Sequence, residues 1–107
     1  MKLTELKPKW LKRDDDKNFH YVDSIGESDG IWFRCPKCFV DNGNTIVGTH
    51  SIICWQPRVP QTTTPIPGRW EFSGTGFDDL TLTAGSSSIL LTAGCEAHFF
   101  ITNGQIV

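Results

Sequence analysis

Phe99-Phe100-Ile101-Thr102-Asn103-Gly104-Gln105-Ile106-Val107 decides the fold class. Two apolar runs flank Asn103-Gly104. A type I′ turn needs positive φ at both central residues, which Asn and Gly tolerate. The stretch therefore predicts a β-hairpin whose second strand runs to Val107.

Working outward, the same β signature recurs. Phe19-His20-Tyr21-Val22 is short and aromatic. Gly30 opens Ile31-Trp32-Phe33-Arg34. Residues 45–47 and 49–55 are rich in β-branched side chains, and residues 69–72, 79–83 and 88–92 show strand patterning. Such runs read as half-buried strands. Helical periodicity is weak, and the best helical candidate, residues 2–7, is stopped by Pro8. Residues 56–68 hold four of the six prolines and read as an extended loop. The expected fold is all-β: a small, mainly antiparallel sandwich or partly open barrel, clamped by a zinc site.

The chain has 107 residues, 38% of them hydrophobic and 21% charged. That size suits a single domain with a modest core, for which a metal staple is a large gain. No apolar run approaches a membrane span. The opening MKLTELKPKW lacks an apolar h-region, so a reducing, cytoplasmic setting is expected. Charge is uneven. Lys2, Lys7, Lys9, Lys12 and Arg13 crowd the first residues, Asp14-Asp15-Asp16 follows, and neither Lys nor Arg occurs after Arg69. Residues 1–17 are accordingly expected to be a basic and acidic arm on a single zinc-binding β domain, 18–107. A chain without cations after Arg69 cannot offer a broad basic face, so nucleic acid is not the expected partner.

Cys35-Pro36-Lys37-Cys38 follows a predicted strand, and Cys95-Glu96-Ala97-His98 repeats the spacing. Two short pairs of soft donors suit tetrahedral zinc. The expected ligands are Cys35, Cys38, Cys95 and His98. Residues 39–94 separate the pairs, so the metal would join distant parts of a sheet rather than fold a miniature finger. A thioredoxin-type redox pair would need a βαβ context and a helix beginning after Cys35, and neither is expected from the residues.

His50 and Cys54 sit four apart. On a strand they share a side but lie about 13 Å apart, too far to share one ion. Cys54, between Ile53 and Trp55, reads as a buried core thiol. His50 is a possible additional or substitute ligand, or an acid/base beside the metal. Glu96 is the other acid/base candidate. A closed four-ligand shell argues against catalysis. Trp10, in the basic arm, is expected to be exposed or to cover an edge. Arg69, Trp70, Asp78 and Asp79 are the candidate contact surface. No phosphate-binding motif accompanies them.

Gly30-Ile31-Trp32-Phe33-Arg34, Cys35-Pro36-Lys37-Cys38, Gly68-Arg69-Trp70-Glu71 and residues 87–107 together resemble a family of small phage, prophage and bacterial proteins. The shared pattern is a knuckle followed far downstream by Cys-x-x-His-Phe-x-Ile-x-x-Gly. It falls on Cys35, Cys38, Cys95 and His98, while Phe39-Val40 departs from the glycine-rich knuckle of many relatives. The resemblance implies a zinc site and a phage or prophage setting. With it, the expected function is a zinc-stapled interaction module with a protein partner, possible targets being host factors or defences. The alternatives are a zinc-dependent hydrolase using His50 or Glu96, and a nucleic-acid binder using the basic arm.

Overall fold

A computed structural model describes residues 1–45, 49–63, 68–83, 89–90 and 98–107. Four strands form the main sheet: β1 (Lys9–Arg13), β2 (Phe19–Val22), β3 (Gly30–Arg34) and β4 (Ser51–Trp55). They pair antiparallel in the order β2-β1-β3-β4. Three short antiparallel ribbons follow. They are β5 (Glu71–Ser73) with β6 (Thr81–Thr83), β7 (Ile89–Leu90) with β8 (His98–Phe99), and β9 (Ile101–Thr102) with β10 (Gln105–Ile106). The only α-helix among the described residues is α1 (Pro36–Asp41). The fold is all-β and antiparallel, as the patterning predicts. Among the described residues the strands fall into four separate antiparallel ladders.

The terminal hairpin forms as expected. Asn103 and Gly104 have φ of 49° and 71°, which the Asn-Gly pair adopts at low cost. Gly104 has a second reason to be glycine: a Cβ there would strike the Asp78 carbonyl. The Gly104 N–H donates to the Leu80 carbonyl at 2.8 Å, which ties the hairpin to the β5–β6 ribbon.

The core lies between the main sheet and these ribbons. Leu3, Leu6, Trp10, Ile31, Phe33, Ile52, Leu80, Leu82, Phe99 and Ile101 form one buried cluster. The Trp10 ring stacks on Phe77 at 4.4 Å, and Phe33 meets Phe99 edge-on at 6.1 Å. A smaller cluster of Leu11, Trp55 and Val59 lies on the opposite face of the sheet.

Two expectations need correction here. Residues 1–17 are not an appendage: they contribute β1, an inner strand of the sheet, and Trp10 is 4% exposed. The reason is that β1 is covered on both faces. Trp10 points into the main core and Leu11 into the smaller one, so the strand shows adjacent apolar residues instead of alternation. The flanking lysines then give it the look of a solvated arm. Residues 2–7 do make a helical turn, but a 3₁₀ one, Leu3–Leu6, that buries Leu3 and Leu6. The Leu3 N–H donates to the Gly104 carbonyl, so both ends of the described chain meet.

Residues 56–63 form the expected loop without strand, and it is held by cations. Arg58 donates to the Asp29 carboxylate through Nη2 at 2.9 Å. Arg69 donates Nε to the Val59 carbonyl at 2.9 Å and Nη2 to the Thr63 carbonyl at 2.8 Å.

Asp29 also accepts the Arg13 backbone N–H at 2.9 Å and faces the Lys12 ammonium at 3.8 Å. Burial pushes its carboxyl up, but the Arg13 N–H, Arg58 and Lys12 together outweigh burial and hold it below 3.8. A carboxylate depressed in the fold contributes stability above its unfolded value and loses it as pH falls through the folded one. Asp29→Asn should therefore destabilise the domain by about 1–3 kcal/mol at neutral pH. The difference from the parent should shrink as pH drops below 3.8. Thermal melts across that range check it; a gap that stays constant in acid would remove the charge from the account.

Candidate metal centre

β3 ends where the knuckle begins. Cys35 is fully buried and caps α1 in an extended conformation, with Pro36 at the first helical position, where its missing N–H is no loss. The Phe39 N–H closes the first turn onto the Cys35 carbonyl at 2.9 Å. That turn returns Cys38, three residues on, to the side occupied by Cys35.

The third donor comes across the sheet. β3 pairs with β4 in the register Arg34↔Ser51, and the Cys35 N–H donates to the His50 carbonyl at 2.9 Å, one rung further on. Directly opposed residues of an antiparallel pair present side chains on one face about 4.5–5.5 Å apart. Cys35, Cys38 and His50 thus form one group whose donor atoms all lie within 4.8 Å of one another. Cys35 is buried, Cys38 half-buried and His50 exposed.

A polar frame sets the His50 backbone. The buried Thr49 hydroxyl donates to the Thr45 carbonyl at 2.9 Å and accepts from Asn42 Nδ2 at 3.1 Å. Arg34 Nη1 donates to the Thr49 carbonyl at 3.0 Å. The end of α1 and the start of β4 are therefore clamped together beside the three donors.

The group could hold a metal ion. With bond lengths of about 2.3 Å to sulfur and about 2.0 Å to nitrogen, tetrahedral zinc needs donors roughly 3.5–3.8 Å apart. The observed spacing is within reach of side-chain rotation. Two thiolates and a neutral imidazole are also the donor chemistry that zinc favours over calcium or magnesium.

Of the four ligands expected from spacing, Cys35 and Cys38 are brought together. Cys95 lies outside the described residues, as does Glu96. His98 opens β8, whose register is Leu90↔His98. Its neighbour Phe99 packs on Phe33, two residues before Cys35 on the core face. His50, the substitute candidate, is the residue the fold delivers. The signal for it was the register of β3 against β4, which sequence leaves open because residues 35–50 lie between them. Cys54 follows the expectation of a core thiol: it is buried, and burial pushes its thiol far above the usual range. It shares the sheet face of His50 but stands outside the donor group.

Contrary to the expectation from the residues, a helix does begin after Cys35. Its sheet context is antiparallel, however, and the thiol at its start is fully buried, whereas reactive thiols are partly exposed. Among the described residues, Cys35, Cys38 and Cys54 are not joined to one another by a disulfide.

The candidate contact residues do internal work. The Arg69 guanidinium holds the loop carbonyls named above. Asp79 accepts N–H groups from Thr75 at 2.8 Å and Gly76 at 2.9 Å, which hold its carboxyl below the usual range. Trp70 packs against the main core, while Asp78 stays exposed.

No protein-family model, curated protein or solved structure matches this chain. No helix among the described residues is long and apolar enough to cross a membrane.

Proposed function

We propose that Cys35, Cys38 and His50 hold a structural zinc ion, with the fourth ligand drawn from Cys95 or His98, and that the domain it staples is an interaction module. The observation that carries the reading is the donor group within 4.8 Å, drawn from the residue after β3, from α1 and from the residue before β4. A metal there joins α1 to β3 and β4. Binding free energy at such a site is folding free energy. The Phe33–Phe99 contact supports a fourth ligand from the β8 side, since it lays that strand against the face carrying Cys35. With His50 used as a donor, it cannot also move protons, which weighs against a hydrolase built on it. Thiolate ligands imply a reducing compartment, consistent with the cytoplasm of a bacterial host and with the resemblance to phage and prophage proteins.

Metal content on protein purified without added metal tests the reading. The expected result is about one zinc per chain, with unfolding by a strong chelator followed by far-UV circular dichroism. A well-folded chain with no metal before or after zinc addition would overturn it.

A further inference from the structure

The main sheet has an aromatic stripe on the face away from the core. Register places Tyr21 opposite Leu11, and Trp32 opposite Lys9 on one side and Ile53 on the other. Val59 in the loop after β4 covers Leu11 and Trp55 at one part of this face. The rest is open: Phe19 is 39% and Tyr21 57% exposed, and Trp32 is half-buried. The rings run in a row, Phe19 to Tyr21 at 6.5 Å and Tyr21 to Trp32 at 6.4 Å. At the end of the row the Arg34 guanidinium lies over Trp32 at 4.8 Å.

Charge decides what such a stripe fits. The strand residues that β1–β4 direct to this face include Lys9, Arg13 and Arg34 and no carboxylate, while Asp15 and Asp16 from the β1–β2 connection border its Phe19 end and leave the Trp32 end cationic. Arg13 is engaged by Asp16 at 2.6 Å, whose carboxyl is pulled down to about 2 by hydrogen bonds from Arg13, Thr63 and Thr62. Lys9 and Arg34 make no ion pair among the described residues. An apolar peptide would leave both cations without counter-charges, and a neutral sugar would not use them. A polyanion carrying flat rings uses both features. On a four-stranded antiparallel sheet, exposed aromatics stack unpaired bases, and a guanidinium plane serves as a further stacking surface.

We infer that the Phe19–Tyr21–Trp32 stripe, flanked by Lys9 and Arg34, binds single-stranded nucleic acid by base stacking. The inference rests on reading the domain as an interaction module and names its partner class. Few phosphates are neutralised, so stacking supplies most of the affinity and the absence of cations after Arg69 does not oppose it. The rings lie apart from the metal donors, which sit on the core face of the sheet and on α1, and Arg34 touches both through Trp32 and the Thr49 carbonyl.

Fluorescence anisotropy of labelled oligo-dT and oligo-rU of about 12 nucleotides tests it, with the full chain in its zinc-loaded form. Binding should weaken between about 50 and 200 mM salt with a log–log slope near −1.4, the value for two phosphates on a single strand. Tyr21→Ala should weaken binding about five- to 150-fold, the range for losing one stacked base. Because Tyr21 is largely exposed, its zinc content and Tm should stay at the parent values. Lys9→Ala should reduce the salt slope by about 0.7 and tests the same face without touching a ring. Three outcomes would overturn the inference: no binding at low salt, duplex binding as tight as single-strand binding and insensitive to Tyr21→Ala, or a stripe buried in a dimer that Tyr21→Ala dissociates. Zinc-loaded protein without oligonucleotide binding removes the platform and leaves the staple. Metal-free protein with Tyr21-dependent binding does the reverse.

Discussion

Cys38→Ser should strip the domain of zinc and unfold it at ambient temperature. Cys38 is half-buried, so replacing sulfur by oxygen changes packing little, and the loss falls on the metal. Structural zinc contributes an apparent ~10–16 kcal/mol in small domains, as much as or more than the ~5–15 kcal/mol that holds a domain of this kind together. His50→Ala should act in the same direction with a smaller loss, because a water can complete the shell around three remaining ligands. Elemental analysis with thermal melts reads both. A Cys38→Ser protein with a full zinc complement and an unchanged Tm would dismantle the site. Cys54→Ala separates the metal from mere packing: it should cost about 1–2 kcal/mol and leave the zinc in place.

Trp10→Ala should be the most damaging change among the aromatic residues. Trp10 is 4% exposed, stacks on Phe77 at 4.4 Å and lies 6.5 Å from Phe72, so it joins the main sheet to the β5–β6 ribbon. Truncating a buried tryptophan costs about 3–5 kcal/mol. At ~4–8 °C per kcal/mol for a domain near this size, Tm should fall by roughly 12–40 °C. Removing residues 1–13 altogether should abolish folding, because the sheet would lose an inner strand. A truncated chain with a parent-like melt would restore the description of this segment as a detachable arm.

The same residue shows why part of the fold was hidden. The terminal hairpin, β2, β3 and β4 were legible because each carries a local signal: Asn103-Gly104 for the turn, aromatic or β-branched runs for the strands. β1 was hidden because its lysines dominate the local pattern and both of its faces are covered by distant residues. α1 was hidden for a different reason. Six residues are too few for helical periodicity to show, and the knuckle cysteines drew the reading toward a turn.

The candidate site divides along the same line. Cys35 and Cys38 are three apart, so chain geometry alone joins them, and their chemistry singles out zinc-type donors. His50 is fifteen residues from Cys35 in the chain and becomes its neighbour only through the β3–β4 register, visible in the Cys35–His50 backbone bond at 2.9 Å. The aromatic stripe has the same origin. Phe19, Tyr21 and Trp32 are separate aromatic residues in the chain, and strand pairing sets their rings in a row. Local composition thus dictates which segments are extended, where the chain turns and which atoms can ligate a metal. Register is a long-range choice, made where burying Trp10, Phe33 and Phe99 together gains the most apolar contact. That choice selects the third metal donor and the open face of the sheet.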